Sequence, residues 1–407
     1  MNKFINQKIE ASGINKKNES EKRKISLDLL KFISEHKNHN DYFVSNKKFF
    51  YKSDKDSDND LWLLEPINIY CKEVEIFATE LCDYLFEKKY KYVRGRSDIN
   101  QNIILVEIDF EVIANIFSLP KDFDLRNFSE ISNKISNVNI VTKPYLTLAE
   151  IYFGYITPQL NSDKWEENMK IENTILNYFD LPKKQILKST KQFKPLDEYH
   201  HRFLNKLEEV KETYLLTGEY TIQSLLNTPI NMEKYPIYLY TNNTEYFLGI
   251  CRDLYPNEDI SITEKESFLY FWDTLIEINI NGQNIVNLIK TEHKLSGIKL
   301  NFLYHTNFHG TLMFIYNQII QDNLRERYYL DLLYYLIESK HEYQLKNKVN
   351  ELDNHRFSIF NNKLFGEDML PILNHRKREW NRENRFSYRP DKKENKETEQ
   401  EGIEAVE

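Results

Sequence analysis

Residues 53–66 read SDKDSDNDLWLLEP: four aspartates fall within seven positions, and the chain turns apolar at Leu61. In the triplet Asp58-Asn59-Asp60, an extended backbone puts both carboxylates on the same side of the strand. Two like charges held that close are unfavourable unless a cation or a proton lies between them. Magnesium answers that need, because it prefers hard oxygen ligands and keeps positions open for phosphates. Two such ions can activate a hydroxyl and neutralise a leaving pyrophosphate. The same triplet also occurs in plain hydrated loops, so its flanks have to separate the two readings.

Upstream, thirteen residues before Asp58, Ser45 stands in YFVSN, within an aromatic stretch (41–51) that reads as a strand or the start of a helix. Before it, SLDLLKFISEH (26–36) spaces Leu27, Leu29, Leu30 and Ile33 as an amphipathic helix. Downstream, IYCKEVEIFATELCDYLFEKKY (69–90) repeats apolar residues at three and four and predicts a long helix. YKYVRG (90–95) and NIILVEIDF (102–110) read as strands. In the second, Ile104, Val106, Ile108 and Phe110 point one way and Leu105, Glu107 and Asp109 the other. EVIANIFSLP (111–120) is a further apolar segment ended by Pro120. A serine-bearing turn, a D-x-D strand and a third acidic strand are the plan of the polymerase-beta-type nucleotidyltransferases.

The remainder of the chain supplies a second lobe. PYLTLAEIYFGYI (144–156), WEENMKIENTILNYF (165–179), HHRFLNKLEEVKETYLL (200–216) and ERYYLDLLYYLIESK (326–340) read as helices. PIYLYTNNTEYFLGI (236–250) reads as a hairpin turning at Asn242-Asn243, and 268–289 as a hairpin turning at Asn281-Gly282, a type I′ signal. KLNFLYHTNFHGTLMFIYNQII (299–320) begins strand-like and ends helical. No internal repeat shows in the sequence. The expected fold is α+β: a polymerase-beta-like nucleotidyltransferase core over 27–142 and a C-terminal mixed α/β lobe over 143–365. Residues 1–26 and the charged tail 366–407 are expected to be disordered. A cleft is expected between the lobes.

With 407 residues, 41% of them hydrophobic and 29% charged, the chain has ample material for cores. A formal charge of −8 argues against a nucleic-acid coat but leaves room for a local basic cleft. Three cysteines without CxxC spacing fit a reducing compartment. No stretch approaches the roughly 18 apolar residues of a membrane span.

Over residues 42–179, and again at 301–319, the chain resembles the poly(A) polymerases of large cytoplasmic DNA viruses, the poxviruses and giant viruses. In that family a Gly-Ser turn precedes a D-x-D strand with an aromatic after it; here Val44-Ser45 precedes Asp58-Asn59-Asp60-Leu61-Trp62. A helix like EIFATELCDYLFEKKYKYV (75–93), a segment like VRGRSDINQNIILVEIDF (93–110) and a Pro-led helix like 143–179 follow in the family's order. NFLYHTNFHGTLMFIYNQI (301–319) is similar to a strand-to-helix segment of the family's C-terminal domain. Some proteins of yeast cytoplasmic linear plasmids, killer-toxin immunity factors among them, also resemble this family.

The resemblance implies transfer of AMP from ATP onto the 3′ end of RNA without a template, with Mg²⁺ or Mn²⁺ held by Asp58 and Asp60. It implies a cytoplasmic location, a role in mRNA processing and a small protein partner of the kind poxvirus relatives use; no membrane is involved. Ser45, with Asn46 beside it, would contact the triphosphate, and Arg94 and Arg96 would hold phosphates or the RNA backbone. Two departures weigh against catalysis. Val44 replaces the turn glycine that lets a backbone approach a phosphate. The third acid aligns with Asn115, which can ligate a metal but supplies neither charge nor base; Asp109 or Glu107 substitutes if the register differs. The alternative is therefore a degenerate relative that keeps the fold to bind RNA or a protein.

Other clusters read more plainly. His200-His201 and His305-x3-His309 lack the carboxylate or cysteine partners of a zinc site. The lysines at 183, 184, 188, 191 and 194 are a phosphate track or a solvated face. The tail segment HRKREWNRENR (375–385) mixes bases with Trp380, which suits stacking on single-stranded RNA or a free tail.

Overall fold

The computed structural model describes residues 19–36, 41–46, 61–98, 103–125, 128, 134–135, 137–141, 143–157, 164–178, 198–226, 235–266, 268–269, 274–291, 293–321, 325–347, 363–365 and 386–390. Asp58 and Asp60, the lysine run at 183–194 and the tail segment 375–385 lie outside these residues. The chain divides into two compact units: Met1–Phe117 with Asn133–Ile140 and Arg385–Glu407, and Ser118–Ser132 with Val141–Asn384.

In the first unit, α1 (Glu19–Glu35) buries Ile25, Leu29, Leu30 and Ile33 as its periodicity requires, beginning earlier than 26. Strands β1 (Phe43–Ser45) and β2 (Ile67–Cys71) pair antiparallel. Helix α2 (Val74–Glu87) follows, then β3 (Arg94–Ser97), β4 (Ile103–Ile108) and β5 (Glu111–Ser118). β6 (Lys134–Ile135) and β7 (Val138–Ile140) add beside β1. The stretch 69–90 is thus not one helix, because its first three residues complete β2. The alternation Ile67, Ile69, Cys71 has period two, and all three join Val44, Ile104, Val106, Ala114 and Ile116 in a core against α1 and α2. Part of the tail expected to be disordered is a strand: β16 (Ser387–Tyr388) pairs antiparallel with β3. The sheet order is β16-β3-β4-β5-β2-β1-β7-β6.

The second unit contains α3 (Tyr145–Ile156), α4 (Trp165–Tyr178) and α5 (Glu198–Leu207). The helix expected over 200–216 stops at Leu207, and Leu215–Thr217 form strand β8. Gly218 then turns the chain into α6 (Glu219–Leu226) at φ +73°, a conformation that favours glycine. β9 (Ile237–Thr241) leads into α7 (Thr244–Leu254), where a second hairpin strand was expected. Asn243 caps this helix, its side-chain oxygen accepting from the Tyr246 N–H at 3.2 Å. An Asn-Asn pair between apolar runs is a helix start here, not a hairpin turn. β10 (Ile260–Lys265), β11 (Thr274–Ile280) and β12 (Gln283–Lys290) follow, and Asn281-Gly282 forms the expected tight turn, both residues at positive φ. β13 (Leu295–Leu300), β14 (Leu303–Thr306), α8 (Phe308–Gln321), α9 (Glu326–Asn347) and β15 (Lys363–Phe365) complete the unit. Its sheet order is β10-β11-β12-β9-β8-β14-β13-β15.

The two sheets repeat one plan. In each, a strand, a helix and three further strands occur in chain order (β2-α2-β3-β4-β5 and β9-α7-β10-β11-β12). In each, the spatial order is first, second and third of those later strands, then the leading strand, then the strand before it. Tyr70, Glu75, Phe77 and Asp83 recur as Tyr240, Glu245, Phe247 and Asp253 at constant spacing. Sequence reading showed no repeat, because the identity is confined to such scattered positions while the topology is kept.

Candidate functional site

The side of the first sheet opposite its helices carries the polar residues. Ser45 lies directly across from Asn68 on β2. On the neighbouring strand β5, Asn115 donates its side-chain N–H to the Asn68 side-chain oxygen at 2.9 Å. Ser45 and Asn46 are both buried. One step along from Asn68, Tyr70 is wholly buried and stacks on Phe117, with centroids 4.9 Å apart and planes 15° apart. The structure therefore places Ser45 and Asn115 on the two strands that flank Asn68.

The other residues singled out by the sequence lie elsewhere on this sheet. Arg96 faces Leu105, which faces Asn115 in turn. Its guanidinium holds Glu107 through Nε at 2.8 Å and Nη2 at 2.7 Å, and Glu107 is buried. Glu107 is thereby committed to an ion pair inside the sheet. Burial lowers the pKa of Arg94, and Arg389 and Arg96 nearby add to that effect. Asp109 is not a strand residue. It occupies the tight turn between β4 and β5 at φ 52°, with Phe110 beside it at φ 67°. Among the described residues, no group of three or more His, Cys, Asp or Glu is placed to hold a metal ion.

The second sheet repeats the polar row. Thr217 faces Tyr238, and Tyr238 faces Asn287, whose other neighbour is Glu277. The Asn287 side chain hydrogen-bonds Tyr238, the counterpart of the Asn115–Asn68 contact. Behind Tyr238, Glu219 is fully buried and accepts from the Tyr328 hydroxyl at 3.1 Å, while its Oε2 has no hydrogen-bond partner. Burial pushes its carboxyl up to about 7. His305 and His309 are packing residues. His305 meets the Thr221 hydroxyl at 3.1 Å, His309 lies among Tyr152, Tyr155 and Phe308, and burial holds both imidazoles neutral with pKa values near 3.

Sequence reasoning passed over Asn68, Tyr70, Tyr238 and Glu219. The signal available was the parity of INIYC and IYLYT, where the residues between the core positions face the polar row. The similarity of VIANIF to NIVNLI, which places Asn115 and Asn287 alike, was a second signal.

Two mixed sheets with helices packed on them have the nucleotidyltransferase fold of a poly(A) polymerase, as a solved structure of that kind shows by its likeness. In structure the chain is similar to the Megavirus polyadenylate synthase, with a TM-score of 0.71 and 17% sequence identity, covering 96% of this chain and 84% of that one. No protein-family model matches the sequence, and no curated protein does.

Proposed function

We propose that the chain is a catalytically degenerate nucleotidyltransferase that uses the fold to bind RNA rather than to extend it. The observation that carries this reading is the Asn115–Asn68 amide pair. In the nucleotidyltransferase plan, the strand between the serine-bearing strand and the third-acid strand bears the paired carboxylates. In this chain that strand is β2, and its residues on the polar side are Asn68 and Tyr70. Three neutral side chains thus stand where magnesium would need anionic oxygen. Loss of preorganised charge at such a centre costs a nucleotidyl transfer several orders of magnitude in rate. Likeness to a polyadenylate synthase makes the RNA 3′ end the ligand to test. A cytoplasmic genetic element, with a toxin-immunity factor as one form of such a protein, fits the reading.

The second reading is adenylyl transfer from ATP, with Mg²⁺ or Mn²⁺ on Asp58 and Asp60. It is favoured by the position of these aspartates in the stretch joining β1 to β2. Incubation with labelled oligo(A), ATP and either metal separates the two. Retained oligo(A) binding without extension supports the binder. Extension that disappears in Asp58→Ala/Asp60→Ala overturns it.

A further inference from the structure

The second unit encloses a cavity of about 1120 Å³ against the polar row of its sheet. Its lining is unusually rich in carboxamides: Gln283, Asn284, Asn287, Gln318 and Gln321 all contribute. Asn284 and Asn287 each keep a buried Oδ1 without a hydrogen-bond partner. Asn287 is almost wholly buried, and its amide is anchored on Tyr238, so that acceptor is fixed in place. Aromatic residues complete the wall: Phe123 and Phe268, both buried, stack on each other at 5.7 Å and 27°, and Tyr238 and Tyr329 line it as well.

Unpaired acceptors beside aromatic faces select a flat ligand that brings N–H donors. Carboxamides read base edges, and aromatic rings accept stacked bases without regard to sequence. Charge at the rim narrows the class. Lys265 is taken up by Glu277 at 2.7 Å, Lys121 and Arg325 are outnumbered by the carboxylates of the lining, and Asp122, Glu264 and Glu266 stand exposed at the mouth. Three carboxylates there oppose a triphosphate and tolerate a nucleoside or a single phosphodiester.

We infer that this cavity binds one amino-bearing nucleobase, adenine, cytosine or guanine, of a mononucleotide or of a single-stranded RNA. The inference deepens the RNA-binding reading and rests on it. An exocyclic amine donates to the Asn284 and Asn287 oxygens; uracil offers only its ring N–H. The site has its own residues, distinct from Ser45, Asn68 and Asn115 of the first unit.

The test is titration of the full chain with AMP, CMP, UMP and ATP, followed by calorimetry or ligand-observed NMR. AMP and CMP should bind about tenfold or more tightly than UMP, as expected where a site's polar groups would otherwise stay unpaired. ATP should bind no tighter than AMP. Asn284→Ala, at a half-buried position, should weaken AMP by a similar factor with the thermal midpoint unchanged. Asn287→Leu should do the same where it folds. Equal binding of UMP, ATP tighter than AMP by about tenfold, or AMP affinity indifferent to Asn284→Ala would each overturn the inference. Oligo(A) held by the chain with no mononucleotide bound overturns this inference and leaves the binder reading standing. Oligo(A) extension with the same base preference overturns the binder reading and leaves the cavity.

Discussion

Asn115 gives its side-chain N–H to the side-chain oxygen of Asn68, at 2.9 Å, across two neighbouring strands of the first sheet. The contact joins two neutral amides at the place where the proposed function puts the lost catalytic anions.

Asn115→Asp therefore does not restore chemistry. It sets a carboxylate against the Asn68 oxygen, and the pair loses its hydrogen bond in the present orientation of the Asn68 amide. An unsatisfied acceptor costs about 1–3 kcal/mol. Urea unfolding should show the variant less stable by that order, and the oligo(A) assay should show no gain of extension. A gain in extension on this substitution would count against the binder reading.

Glu219 makes stability depend on pH. Its carboxyl is raised to about 7 by burial, with the Tyr328 hydrogen bond lowering it only in part. A carboxyl raised in the folded state is favourable when neutral, so its contribution is full below the unfolded value and is lost as pH rises through about 7. Glu219→Gln removes that loss. Against wild type, the variant should gain about 1–3 kcal/mol between pH 4.5 and pH 8, measured by chemical denaturation. Parallel stability curves for the two proteins would refute this.

The three cysteines are inert in the folded chain. Cys71, Cys82 and Cys251 are buried, free and pushed up to about 12 by desolvation. A thiol must ionise to react. Ellman's reagent should label none of them in buffer and all three in denaturant. Rapid labelling in buffer would show a site that opens without global unfolding.

Removing the ring of Phe386 should loosen the first unit. Phe386 packs on Gly95, where an added Cβ would come within 3.0 Å of the ring and 3.2 Å of the Cys82 sulfur. The Tyr388 hydroxyl on the next strand residue but one donates to Asp83. Phe386→Ala should cost about 1–3 kcal/mol for a half-buried aromatic. Gly95→Val should be destabilising in the same transition, because ring and side chain compete for one space. A calorimetric scan that leaves both variants at the wild-type midpoint would exclude a structural role for β16.

Much of the fold was legible where one period governed a segment. The helix at 326–347, the strand 103–108 and the Asn281-Gly282 turn all follow from spacing and turn chemistry alone. The misreadings have physical causes. Asp109-Phe110 and Asn301-Phe302 make the same positive-φ turn as Asn281-Gly282, but a phenylalanine in the left-handed region gives no sequence signal. IYCKEVEIF contains a strand end and a helix start with no proline or glycine between them. YTNNTEYF hides a capping asparagine inside what looks like a turn. Asn68 and Asn287 escaped notice for a different reason. They carry no charge, and only the pairing of strands remote in sequence reveals that Asn68 meets Asn115 and that Asn287 meets Tyr238. Asp58 and Asp60, which dominate the sequence by charge, lie outside the described residues, so their role is left to the transfer assay.

Strand β16 sets the order in which the protein can be completed. The first sheet receives its outer strand from residues 387–388, after every residue of the second unit has been synthesised. While the nascent chain is still on the ribosome, the Arg94–Ser97 edge has unpaired backbone groups and offers them to any other extended segment. The early-made half therefore waits on the late-made end, and a fragment stopped before residue 386 exposes an edge prone to association.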